Sequence, residues 1–126
     1  MLLHEKLRRF AEAESAYRRA IDLAPYDPFY YGGLVSLLVE QSRRSEALAL
    51  AAQMRALLNA TEHWYGLATL DSILGNVDIA LEHLRKAAHA EKFDREWARI
   101  DLDLASIRAD PRFREIVGKD LTDPST

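Results

Sequence analysis

The sequence predicts an all-α protein made of repeated helix pairs, on three observations. Ala and Leu number 19 each among 126 residues, so strong helix formers supply nearly a third of the chain. Gly and Pro number only 5 and 4, too little turn punctuation for a many-stranded β fold. Large residues also recur at a fixed step. Tyr31, Trp64 and Trp97 are 33 apart, and Leu34, Leu67 and Ile100 follow each of them by three. Ala13, Ala47 and Ala80 recur at steps of 34 and 33, a period that belongs to stacked helical repeats.

Each element has a local reason. Helices are predicted at about Leu2–Leu7, Phe10–Ala24, Pro28–Gln41, Ser45–Leu58, Glu62–Leu74 and Asp78–Ala90. Asp27-Pro28 is a capping residue followed by Pro at the first helical position, where its missing N–H costs nothing. Gly75-Asn76 follows an apolar helix end, as a C-terminal stop should. The small residues Ala13, Ala47 and Ala80 let two helix backbones approach closely, and the large Tyr31 and Trp64 fill the space between neighbouring pairs. Gly32-Gly33 inside a helical pattern leaves room for a neighbouring side chain or a ligand near Phe29.

These positions resemble the tetratricopeptide repeat. The first-helix matches are Tyr31-x-x-Leu34-Val35-x-x-Leu38 and Trp64-x-x-Leu67-Ala68. The second-helix matches are Ala13-x-x-x-Tyr17…Pro25, Ala47-x-x-x-Ala51 and Ala80-x-x-x-Leu84. The resemblance implies a right-handed α-solenoid of antiparallel helix pairs, about 2.5–3 units plus a C-terminal cap. Repeats fall at about 1–25, 26–59 and 60–92, with the cap at 93–118, all within one domain. Residues 119–126 are polar and read as a flexible tail. The first repeat is incomplete, because the residue equivalent to Tyr31 would precede Met1. The expectation is therefore a piece of a larger bacterial protein, the alternative being a naturally short first helix whose Leu2, Leu3 and Leu7 cap the face of Phe10–Ala24.

The segment Asp101-Leu102-Asp103-Leu104-Ala105-Ser106-Ile107-Arg108-Ala109-Asp110-Pro111-Arg112-Phe113 resembles the terminating segment of many bacterial tetratricopeptide arrays. Asp103 is expected to start a short turn of helix. Asp110-Pro111 is expected to start another, with Phe113, Ile116 and Val117 on its apolar side and Gly118 as its stop. These three should cover the face left by the last repeat, with Trp97 and Ile100 beneath them.

Composition and motif searches narrow the function. Net charge is -3, without the basic excess of a nucleic-acid surface, so an RNA-binding helical repeat is the least favoured alternative. There is no Cys, hence no thiol chemistry and no Cys-based metal site. The four His lack metal-ligand spacing, and no phosphate loop or nucleophile motif occurs. Asp101, Asp103 and Asp110 are better explained by helix capping than by calcium or acid–base chemistry. Neither a signal peptide nor a membrane span is present in the sequence, which predicts a soluble, cytoplasmic chain with no catalytic residues, cofactor, metal, nucleic acid or membrane partner.

What remains is protein–protein interaction. The resemblance implies a concave groove lined by Phe29, Gly32, Ser36, Val39 and Glu40 from one repeat. From the next come Glu62, Tyr65, Thr69, Ser72 and Ile73. The expected contact residues are Phe29, Ser36, Val39, Glu40, Glu62, Tyr65, Thr69 and Ile73. Some relatives clamp a C-terminal carboxylate with basic residues there, but the matching places hold Gly33, Glu62 and Gly66. A partner with apolar and basic side chains fits better. Phe29 and Tyr65 are the expected aromatic anchors, unless both pack between helices. The alternative function is self-association through the open first repeat.

Overall fold

The computed structural model describes residues 2–61 and 63–118. It is all-helical, with no strand among the described residues. The elements are α1 (Leu2–Leu23), α2 (Pro28–Glu40), α3 (Arg44–Thr61), α4 (Trp64–Ile73), α5 (Val77–Ala87), α6 (Arg95–Ile100), a 3₁₀ turn (Leu102–Leu104) and α7 (Pro111–Val117). They group into two compact units, residues 1–61 and 62–126, each built from helices packed against one another.

In the first unit α2 packs on both α1 and α3. It starts as its sequence dictates. The Asp27 side chain accepts the Phe29 N–H at 3.0 Å, and Pro28 takes the first helical position. Its apolar residues Tyr31, Leu34, Val35 and Leu38 are buried, as are Ala47, Ala51, Met54 and Leu58 of α3. Gly32 and Gly33 make this close packing possible. A Cβ on Gly32 would meet Met54 Cε at 3.3 Å, and one on Gly33 would run into the Tyr17 ring of α1. The room left by this glycine pair is filled by neighbouring side chains.

Two helices were expected before residue 25, and there is one. The chain runs as a single helix from Leu2 to Leu23. The register of the repeat called for a break near Arg8-Arg9, but no Gly, Pro or capping residue stands there. Arg9 instead pairs with Glu5 at 3.2 Å and Arg8 lies 3.9 Å from Glu12, both one helical turn away. Local propensity overrides the repeat.

The second unit is built on α4 and α5, with the 3₁₀ turn packed on α4 and α7 packed on both α5 and α6. One apolar cluster joins Ala68, Ala80, Leu81 and Leu84 to Ala98, Leu104, Ile107, Phe113, Ile116 and Val117. Phe113, Ile116 and Val117 therefore do cover the face offered by α5. Gly75 (φ +83) ends α4 and Gly118 (φ +82) ends α7, both in the left-handed region. The Asp110 side chain accepts the Arg112 N–H at 2.9 Å, and the Arg112 guanidinium beside it holds the Asp110 carboxyl down at about 2. Arg112 also reaches Asp78 at the start of α5, at 2.8 Å.

Three expectations about this unit need correction. The 3₁₀ turn is capped by Asp101, which accepts the Asp103 N–H at 2.9 Å; Asp103 lies inside the turn. Helix α5 stops at Ala87 rather than Ala90. Trp97 and Ile100 are exposed, not covered by Phe113, Ile116 and Val117. Helix α6 has only six residues, and Ala98 is the one it buries. Its basic residues turn to the end of α7, where Arg95 donates to the Ile116 carbonyl at 3.0 Å and Arg99 to the Val117 carbonyl at 3.3 Å. Trp97 and Ile100 are left on the outer side. The proposed tail, residues 119–126, lies outside the described residues.

Candidate functional site

The expected contact residues divide between the two units, and the structure treats the two sets differently. On α2, Phe29, Ser36 and Glu40 recur at seven and four residues, which puts them on one stripe of the helix. Phe29 is 75% exposed, with its ring edge against Tyr30 at 5.6 Å between centroids. Glu40, at the C-terminal end of α2, is exposed, whereas Ser36 and Val39 are half-buried. Gly32 and Gly33 do not belong to an open surface, since Met54 and Tyr17 occupy the space in front of them. Beside Phe29, Leu23 and Tyr26 are also exposed, Tyr26 at 83%. Tyr26 was not anticipated. It sits between Pro25 and Asp27 in the turn joining α1 to α2.

On α4 the exposure expected of Tyr65, Thr69 and Ser72 is not found. The chain's own C-terminal segment lies over this face. The Tyr65 hydroxyl donates to Asp101 Oδ2 at 2.6 Å, and its ring packs edge-on to Phe93 at 6.2 Å. Ser106 Oγ donates to the Ser72 carbonyl at 2.6 Å and lies 2.8 Å from Ser72 Oγ. Thr69 is buried and satisfies its hydroxyl on the Gly66 carbonyl at 2.8 Å. Ile73 is half-buried at the end of the helix. Glu62 lies outside the described residues. Burial, the hydrogen bond from Tyr65 to Asp101 and the negative charges of Asp101, Asp103 and Asp94 together push the Tyr65 hydroxyl far above its ordinary range.

The second unit also holds a buried polar network. Asp71 is 1% exposed. Its Oδ1 accepts from Asn76 Nδ2 at 3.2 Å, and its Oδ2 lies 3.3 Å from His83 Nε2. The imidazole stacks on Trp64 at 5.7 Å between centroids, and Lys86 Nζ sits 4.5 Å from the centre of the same indole. Among the described residues no group of three or more His, Asp or Glu is placed to hold a metal ion. No helix among them is long and apolar enough to cross a membrane.

The chain is similar to cellulose synthase 2 operon protein C of Komagataeibacter xylinus, at 36% identity over 105 residues. That match covers 80% of this chain and spans 8% of the length of the relative. No family model matches the chain. No solved structure matches it either.

Proposed function

We propose that the chain is a protein-interaction module built from helix pairs of the tetratricopeptide kind, with a binding rather than a catalytic role. Its contact surface is the outward side of α2 and the turn before it: Tyr26, Phe29, Ser36, Val39 and Glu40. One observation carries this assignment. In a unit whose Tyr31 is buried and hydrogen-bonded to the Pro25 carbonyl at 2.9 Å, two other aromatics are left in water at one corner. Exposed aromatics grouped in this way are the side chains that supply most of the energy at protein interfaces. Glu40, on the same stripe as Phe29, adds a preference for a partner with basic as well as apolar groups.

The helical repeat pattern and the all-α fold support a scaffold role, and the chain is similar to an operon protein named for cellulose synthase. The match spans a small part of that relative, so the proposal concerns a repeat module and not cellulose chemistry. Phe29→Ala tests it. The variant should melt with the wild type and lose captured partners from lysate of the source organism, with affinity falling tenfold or more, above ~1.4 kcal/mol. A folded variant that keeps every partner would remove α2 from the contact surface. Leu7, exposed on α1, favours a second reading in which another copy stacks on α1. Concentration-dependent light scattering separates the two.

A further inference from the structure

Helix α6 and the turn after it sort their side chains by chemistry. Three large apolar residues within six positions stand in water: Trp97 at 52%, Ile100 at 66% and Leu102 at 84% exposure. Trp97 and Ile100 are three apart, and Glu96 precedes Ile100 by four, so these three share the outer side of the helix. The cations are turned elsewhere. Arg95 and Arg99 donate to the terminal carbonyls of α7, and Arg108 donates to the Asp101 carbonyl at 2.5 Å. The anions stay at the surface: Asp94 caps α6 by accepting the Trp97 N–H at 2.9 Å, and Asp94, Glu96 and Asp103 are all exposed. The charges of Asp94, Asp101 and Asp103 all bear on one point, the Tyr65 hydroxyl. Partial desolvation, with Asp101 close by, raises the Asp103 carboxyl from its ordinary value. Around Trp97, Ile100 and Leu102 the exposed Asp94, Glu96 and Asp103 therefore give the surface a negative rim that a cation would complement.

We infer that this face, Trp97, Ile100 and Leu102 rimmed by Asp94, Glu96 and Asp103, is a docking surface for a Lys- or Arg-rich amphipathic segment of another protein. The inference rests on the chain being a protein-binding module, and it adds a second surface with a stated partner chemistry. Charge complementarity selects the occupant: the apolar side chains want cover and the rim wants cations. An anionic lipid surface or a nucleic acid is repelled by the same rim. A second copy is a poor occupant, because the basic residues around its exposed Leu7 are already held, Lys6 over the Phe10 ring at 5.6 Å. Arg9 already pairs with Glu5, and Arg8 with Glu5 and Glu12.

The test titrates the full chain with a synthetic helical peptide of Leu and Lys, its Leu residues on one face, beside the same peptide with Glu for Lys. The readouts are calorimetry and the NMR signal of the Trp97 indole N–H. The cationic peptide should bind saturably, move that signal and weaken as salt is raised, while the acidic peptide should not bind. Trp97→Ala and Leu102→Ser should each lower affinity tenfold or more, and Glu96→Lys several-fold. Leu102 is almost fully exposed, so Leu102→Ser keeps the test alive if Trp97→Ala fails to fold. Phe29→Ala should bind the peptide as wild type does, which separates failure here from failure of the α2 surface. Equal binding of the two peptides, an unmoved indole, or unchanged affinity in Leu102→Ser would overturn the inference. So would sedimentation showing a dimer that Leu102→Ser dissolves.

Discussion

Leu38 and Asp71 stand 33 residues apart, one repeat step, and both are almost wholly buried. The first unit fills the position with hydrocarbon. The second fills it with a carboxylate, held by Asn76 and His83. The positions that serve Asp71 explain the difference. One step back from Asn76 is Arg43, which is engaged with Glu14 and Glu46 at 2.6 Å each, and one step back from His83 is Leu50. Only the second unit has the groups that make a buried carboxylate tolerable. The same backbone slot therefore accepts either chemistry, provided its neighbours change with it.

Exchanging the two side chains is the strongest way to break this comparison. Leu38→Asp puts a carboxylate where no partner waits, and should cost about 4 kcal/mol or more, enough to unfold the first unit. Asp71→Ala removes the carboxylate and leaves both a cavity and the half-buried donors of Asn76 and His83 facing it, at a cost of about 2–4 kcal/mol. Asp71→Leu refills the space but leaves the same two donors facing hydrocarbon, so it should recover only the cavity part of that loss, about 1 kcal/mol or more. Urea unfolding measures all three. Equal losses in Asp71→Ala and Asp71→Leu would mean that the network, not the filled space, holds this unit together.

A gentler contrast lies one turn further on. Ser42 (φ 61) and Gly75 (φ +83) are again one step apart, and each ends a first helix in the left-handed region. The following N–H closes the same five-residue bond in both, Arg43 to the Leu38 carbonyl at 2.9 Å and Asn76 to the Asp71 carbonyl at 2.8 Å. Glycine adopts this conformation freely, whereas serine has a Cβ to accommodate. Ser42→Gly should stabilise by about 0.5–1 kcal/mol and Gly75→Ser should destabilise by a similar amount. Thermal melts with the signs reversed would show that other contacts decide these turns.

The contrast between the units also shows what a sequence can disclose. The start of α2 at Asp27-Pro28 and of α7 at Asp110-Pro111 was legible, because capping is settled within three residues. The burial of Ala47 and Ala80 was legible from period alone. The break at Arg8-Arg9 was a product of the repeat register, imposed on a segment with no local reason to stop. The partial cover over Tyr65 could not be read, because Asp101, which accepts its hydroxyl, comes 36 residues later. Periodicity also misplaced Trp97. It stands at the aromatic step, but on a six-residue helix whose inward position belongs to Ala98.

Tyr65 is tied to the segment that covers it, whereas Phe29 stands open. Thermal unfolding of Tyr65→Ala beside Phe29→Ala measures that directly. Tyr65→Ala loses the hydroxyl bond to Asp101 and the packing on Phe93, and its melting temperature should fall by roughly 10 °C. Phe29→Ala should melt within about 2 °C of wild type, because an exposed side chain away from a cap or core contributes little to stability. The opposite order, with Phe29→Ala unfolding early and Tyr65→Ala unaffected, would contradict the assignment of α2 as the open surface and of α4 as the one the chain covers itself.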